Sequence, residues 1–120
     1  MSLKQPLKTR IDLSQIVDGE LDYDGFSKVL YNDKFFTGYL VLDKHTDGSV
    51  AFEKEYKNGR HLGWDNEYNI NGILISESLN VGENDIEFYE YDDNGNQIEG
   101  GKLVGETEYQ ELVSKYKLLD

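Results

Sequence analysis

Two histidines, His45 and His61, are the residues of this chain best suited to acid–base chemistry. His45 stands next to a predicted turn, and His61 lies in a Gly-Arg-His-Leu-Gly segment. A histidine-based hydrolytic centre also needs a nucleophile and an orienting carboxylate held together in space. No motif around either histidine indicates such a centre, and two isolated histidines do not make a metal site. We therefore predict no catalytic residue and no enzyme activity, although a deep polar pocket with either histidine beside a carboxylate would favour an enzyme.

The segment that begins at Asp92 has only the opening of a calcium-binding loop. Asp92, Asn94 and Asn96 alternate in the way that oxygen ligands surround a hard cation. The sixth position is Gln97, where the loop requires Gly, and the twelfth is Leu103, where it requires a bidentate Glu. We therefore predict a turn here, with no metal and no cofactor.

Acidic residues are concentrated between residues 80 and 101, a stretch with seven carboxylates and no Lys or Arg. The simplest interpretation is a solvated face, and the functional interpretation is a surface that meets a basic partner. Exposed tyrosine beside carboxylate is a common composition for a protein-binding surface. The candidate contacts are the carboxylates Glu83, Asp85, Glu87, Glu90, Asp92 and Asp93, with Tyr89 and Tyr91 as aromatic anchors.

Length and charge restrict the class of protein that carries these residues. The 120 residues fit a single domain, 1–120, and the formal charge of −12 would repel both nucleic acid and anionic membranes. Fifteen aromatic residues are too many for a typical disordered chain. Because the chain has no cysteine and no run of about 20 apolar residues, we expect a folded cytoplasmic protein.

A repeat of about 24 residues organises the chain. Asp47-Gly48, Asn71-Gly72 and Asn94-Gly95 are spaced 24 and then 23 residues apart. Such pairs favour type I′ turns at the tips of β-hairpins, because both central residues there need positive φ. The flanking residues alternate with a period of two, as β-strands do. We therefore predict a mainly β protein, built as a tandem antiparallel β-hairpin repeat sheet with three degenerate repeats over 29–101.

Both ends of such a sheet need caps, because open strand edges and an open face are otherwise exposed. Thr107 and Gln110 have the spacing of a capping box, and apolar residues follow at helical intervals. This pattern predicts a C-terminal capping α-helix over 107–118, with Leu112 and Tyr116 facing the sheet and Leu119 in the same stripe. Residues 11–28 are assigned to an N-terminal cap, in which a short strand or turn is as plausible as a helix.

The central repeat resembles the variant MORN repeat. The segment Tyr56-Lys-Asn-Gly-Arg-His-Leu-Gly63-Trp64-Asp-Asn-Glu-Tyr68-Asn-Ile-Asn71-Gly72 has the Tyr-x-x-Gly opening, the Gly-Trp element and the Tyr-x-x-Asn-Gly ending of that repeat. Phe36-Thr-Gly38-Tyr39 is similar to a first repeat of the same kind. The outer repeats depart from the pattern, with Lys34 in the position of Gly59 and Ile86-Glu87 in the position of Gly63-Trp64. The resemblance covers about residues 29–101 and implies a MORN-like hairpin sheet.

The resemblance and the charge together predict a function. Bacterial proteins with this variant repeat are often described as antitoxins or as immunity proteins to secreted toxins. A toxin that attacks nucleic acid is usually basic, so an acidic inhibitor can cover its substrate groove and associate quickly. We expect an immunity protein or antitoxin that occludes the active site of a basic toxin domain, such as a nuclease. The alternative is a non-enzymatic MORN-type structural or scaffolding protein.

Overall fold

The computed structural model describes residues 3–21 and 27–120, and it confirms the mainly β prediction. Seven strands form one mixed sheet and three shorter strands form a second, antiparallel sheet. The strands are β1 (Arg10–Asp12), β2 (Val17–Leu21), β3 (Ser27–Tyr31), β4 (Lys34–Phe35), β5 (Gly38–Lys44), β6 (Val50–Lys57), β7 (Arg60–Tyr68), β8 (Leu74–Val81), β9 (Asn84–Tyr91) and β10 (Gln97–Lys102). A 3₁₀ turn, Leu13–Gln15, follows β1, and one α-helix, α1 (Glu106–Tyr116), follows β10. No helix in the described ranges is long and apolar enough to cross a membrane.

The large sheet is a ladder of consecutive hairpins. Strands β5 to β10 lie side by side in chain order, and each pairs antiparallel with the next. Strand β1 pairs parallel with β5 and covers that edge of the ladder, with Ile11 opposite Leu40. The predicted N-terminal cap is therefore a strand where it meets the large sheet. Residues 22–26 of that predicted cap lie outside the described residues.

The three Gly-containing tips close three-residue loops, so the predicted two-residue I′ turns were wrong. Each tip glycine donates its N–H to the carbonyl three residues earlier, as Gly72 does to Asn69 at 3.0 Å. Only the glycine has positive φ, which is the type I turn followed by a left-handed residue. The side chain of Asn69 explains the preference, because its Oδ1 accepts the backbone N–H groups of Asn71 and Ile73 and so stabilises the first bend.

Two-residue turns occur instead at the opposite end of the ladder. Asn58 and Gly59 both have positive φ between β6 and β7, as a type I′ turn requires. Asn32 and Asp33 form the same kind of turn between β3 and β4. The hairpin of β3 and β4 belongs to the small sheet, so residues 29–101 are not one uninterrupted ladder of three repeats. The small sheet packs on the large one through a cluster of Ile11, Val29, Phe36 and Leu40.

The bounds of the C-terminal helix were predicted to within two residues at each end. The capping of its first turn and the leucine that packs after its end differ from the prediction. The N-cap is Gly105, without a side-chain cap, and Gln110 donates to Glu106 rather than closing a capping box. Lys117 ends the helix in the left-handed conformation, with φ of 52°. This reversal buries Leu118 and leaves Leu119 exposed. Leu112 and Tyr116 are partly buried against the core of Leu62, Leu79, Ile86, Tyr109 and Leu118.

Candidate functional site

One face of the large sheet carries buried carboxylates instead of a purely apolar core. Cross-strand pairing places Glu53 opposite Asn66, Asn66 opposite Glu77, and Glu77 opposite Tyr89. A second row places Trp64, Leu79 and Glu87 opposite one another. The carboxylates of this face are all buried, with Glu53 fully so and Glu77 8% exposed. We call this surface the acidic face; its carboxylates are Glu53, Glu55, Glu77 and Glu87.

A basic segment lies across the acidic face and neutralises most of it. Residues 3–10, here called the strap, contribute Lys4 to Glu77 and Lys8 to Glu55. Arg10 binds Glu53 through two nitrogens, with Nε–Oε1 of 2.8 Å and Nη2–Oε2 of 3.0 Å. Each of these three ion pairs offsets the large cost of burying a charge.

A missing side chain at position 63 makes room for one of these carboxylates. A Cβ on Gly63 would lie 2.2 Å from Oε1 of Glu55, and the φ of Gly63, +116°, also disfavours other residues. The carboxylate of Glu55 fills that space and accepts the backbone N–H of Trp64 at 3.0 Å. Lys57 approaches the same carboxylate at 3.5 Å. The Gly-Trp pair of the sequence motif therefore positions a buried acid.

Tyrosine hydroxyls complete the hydrogen bonding of the acidic face. Tyr68 donates to Glu53 at 3.0 Å and Tyr91 donates to Glu77 at 2.8 Å. Glu87 accepts from Tyr109 at 2.7 Å and also from Tyr89. The hydrogen bond to Glu87 raises the pKa of Tyr89 to about 12, because ionisation would place two negative charges side by side. Burial, then the neighbouring carboxylates, raise the pKa of Tyr68, Tyr91 and Tyr109 as well.

These tyrosines predict a loss of stability in strong alkali. A tyrosine whose pKa rises on folding stabilises the fold below its ordinary pKa of 10.0, and this contribution disappears as the pH passes the folded value, about 12 for Tyr89. Burial lowers the pKa of Lys4, so Lys4 makes stability rise with pH up to its ordinary pKa of 10.5 and does not oppose the decline above that value. Thermal melts by circular dichroism should show a steep decline from pH 10 to 12, and Tyr89→Phe should reduce it. A stable fold with fully ionised tyrosines at pH 12 would contradict this account.

The structure divides the predicted contact residues between two faces and a turn. Glu87, Tyr89 and Tyr91 lie on the acidic face, and Glu87 is buried in the free protein. Asp92 accepts the backbone N–H groups of Asn94 and Asn96, which lowers its pKa and identifies it as a turn residue. The remaining predicted carboxylates, Glu83, Asp85, Glu90 and Asp93, are exposed.

The opposite face carries an exposed line of carboxylates. Glu67 pairs with Ser76, Ser76 with Glu90, and Glu90 with Glu99, so the four residues form one line across β7 to β10. Glu67, Glu90 and Glu99 are all exposed. We call these three residues the carboxylate row. Directly opposed like charges, as at Glu90 and Glu99, destabilise a sheet.

Neither histidine is a member of the acidic face or of the carboxylate row as defined above. His61 Nε2 lies 2.7 Å from Asp65 Oδ1, both side chains are largely buried, and burial raises the pKa of Asp65 although the bond to His61 opposes this. A hydrolytic centre would also need a nucleophile aligned with the imidazole, and the ring of Tyr56 packs against it instead. His45 binds the carbonyl of Tyr68. In residues 3–21 and 27–120, no group of three or more potential ligands is arranged to hold a metal.

Sequence reasoning missed the buried acids of β6 and the basic strap that meets them. Alternation along β6 assigns Phe52, Lys54 and Tyr56 to one face, which leaves Glu53 and Glu55 on a face that looks solvated. One signal was present, because residues 1–10 contain three basic residues and no acid in a strongly acidic chain. Comparison with protein-family models, curated proteins and solved structures gave no match. Function must therefore be inferred from the contacts of this chain's own residues.

Proposed function

We propose that this protein is an acidic binding protein that acts as an immunity protein or antitoxin and occludes the active site of a basic toxin domain. The observation that carries the proposal is the carboxylate row. Glu67, Glu90 and Glu99 are exposed and aligned across neighbouring strands, and residues 80–101, which supply two of the three, contain no Lys or Arg. A row of like charges destabilises the free protein, and a basic partner that binds the row would relieve this repulsion.

The geometry of the row suits a protein partner. Neighbouring strands lie about 4.8 Å apart, so Glu67 and Glu90 are separated by about 10 Å, a spacing that Lys and Arg side chains of a toxin can match. The sheet supports the row rigidly, because the strands beneath it are paired along most of their length. A formal charge of −12 would accelerate the encounter with a basic protein.

Charge reversal in the row tests the proposal. We expect Glu67→Lys/Glu90→Lys to slow association with the toxin domain encoded beside its gene by about tenfold at low salt, because rim charges act mainly on the association rate. Wild-type association should itself slow as screening shortens the range of the field to about 8 Å at physiological ionic strength. Surface plasmon resonance over a salt series measures both effects.

A matched control separates the row from net charge. Glu108→Lys/Glu111→Lys makes the same change in charge on exposed positions of α1, and it should slow association much less. Equal effects of the two double variants would mean that only total charge matters and would remove the row from the interface. A neighbourhood without a toxin gene, or no binding by the wild-type protein, would favour the scaffold alternative.

A further inference from the structure

We propose that the acidic face is a binding site for a basic segment of the partner, and that the strap occupies this site in the free protein. This inference rests on the proposed function, in that the segment would belong to the basic toxin. Its structural support is separate from the carboxylate row, because the two surfaces lie on opposite faces of the sheet. The strap shows directly what chemistry the acidic face binds.

The strap is held by charge more than by apolar burial. Its three basic side chains reach Glu77, Glu55 and Glu53, while Leu7 is 100% exposed. Lys4 also lies over the ring of Trp64, with Nζ 3.3 Å from the ring centroid. Charge contacts of this type can be replaced by equivalent Lys or Arg side chains from another chain.

The acidic face also offers acceptors that the strap does not use. The side-chain oxygen of Asn66 is fully buried and has no hydrogen-bond partner among the described residues. Glu87 accepts from two tyrosine hydroxyls and, within the same residues, pairs with no Lys or Arg. A buried acceptor without a partner is costly, so a ligand with additional N–H donors would fit this face better than the strap does.

The contacts define the class of ligand. Lys4 meets β8 through Glu77, whereas Lys8 and Arg10 meet β6 through Glu55 and Glu53. The strap therefore crosses the strands with a turn at residues 5–8, where the N–H of Lys8 bonds to the carbonyl of Gln5 at 3.1 Å. Its basic groups are separated by four residues and then two. The preferred ligand is a peptide segment with at least two Lys or Arg residues at such intervals.

The experiment uses the full-length chain and a synthetic peptide of residues 3–11, Leu-Lys-Gln-Pro-Leu-Lys-Thr-Arg-Ile. Lys4→Gln/Lys8→Gln weakens the strap and leaves Arg10 in place. We expect the labelled peptide to bind this variant at least about tenfold more tightly than wild type, because the competing intramolecular segment is weakened. Trp64 is the only tryptophan, so its fluorescence reports the return of a cation over its ring.

Two controls keep the result decisive. The first control is a peptide with Gln in place of its three basic residues, which should not bind. The second is the single variant Lys8→Gln, which perturbs the protein less because Lys57 still faces Glu55. The inference would be overturned if the basic peptide failed to bind the folded double variant or, should that variant not fold, the folded Lys8→Gln single variant. The strap would then be a fixed part of the core. Peptide binding without toxin binding would instead remove the proposed function and retain the site.

Discussion

Replacing Arg10 by Met should lower the free energy of unfolding by about 3 to 5 kcal/mol, because it leaves a buried carboxylate without its cation. Glu53 is fully buried, and Arg10 is the cation bonded to it through two nitrogens. Asn66 and Tyr68 also donate to Glu53, at 2.9 and 3.0 Å. These neutral donors satisfy its lone pairs but do not compensate its charge.

A second substitution should recover part of that loss. Glu53→Gln keeps an acceptor for Tyr68 and removes the buried charge, so Arg10→Met/Glu53→Gln should be more stable than Arg10→Met alone. This order follows because breaking a buried pair costs more than replacing both partners by neutral groups. Urea denaturation of the wild-type protein and of the three variants gives the coupling between the two positions.

The ion pair between Lys44 and Asp12 provides the matched control. Its Nζ–Oδ1 distance is 2.9 Å, but its side chains are 46% and 47% exposed, against 12% and 0% for Arg10 and Glu53. Lys44→Met should therefore cost less than about 1 kcal/mol. If Arg10→Met cost no more than Lys44→Met, the acidic face would have to admit water, and the description of Glu53 as a buried charge would be wrong.

The hairpin ladder was predictable because its determinants are local. Gly48, Gly72 and Gly95 each sit where a left-handed residue is required after a hairpin bend, and only the turn type differed. Turn type depends on where the strands stop pairing, which is set by neighbours such as Asn69 whose side chain fastens the loop. The spacing of the glycines in the sequence does not contain that information.

The acidic face was not predictable, because its burial depends on contacts between distant parts of the chain. Glu53 and Arg10 are 43 residues apart, and Glu77 and Lys4 are 73 apart. Alternation along a single strand identifies which residues share a face, but not whether a strap covers that face. A bulge in the pairing of β8 with β9 has a similar effect. Leu79 pairs with Glu87, but the next residue, Asn80, pairs with Asp85. The extra residue on β9 places Asp85 away from Glu87. Glu87 and Glu90, three residues apart on one strand, also lie on opposite faces. The predicted cluster of acids is distributed over two faces for both reasons.

Adjacent leucines at the end of the chain should respond very differently to truncation. Leu118→Ala should cost about 2 to 5 kcal/mol, whereas Leu119→Ala should change stability by less than about 0.5 kcal/mol. Leu118 is 1% exposed and packs with Leu79 in the core under the helix, while Leu119 is 52% exposed.

The cause of this contrast is the backbone at Lys117. Its left-handed conformation turns the chain back, and the N–H of Leu118 then bonds to the carbonyl of Val113 at 3.2 Å. A continued helix would instead have placed Leu119 on the apolar stripe, as the helical spacing predicts. Thermal and urea unfolding of the two single variants decide between these arrangements. A larger loss for Leu119→Ala than for Leu118→Ala would mean that the helix runs on past Lys117 and that the helical stripe, not the reversal, closes the core.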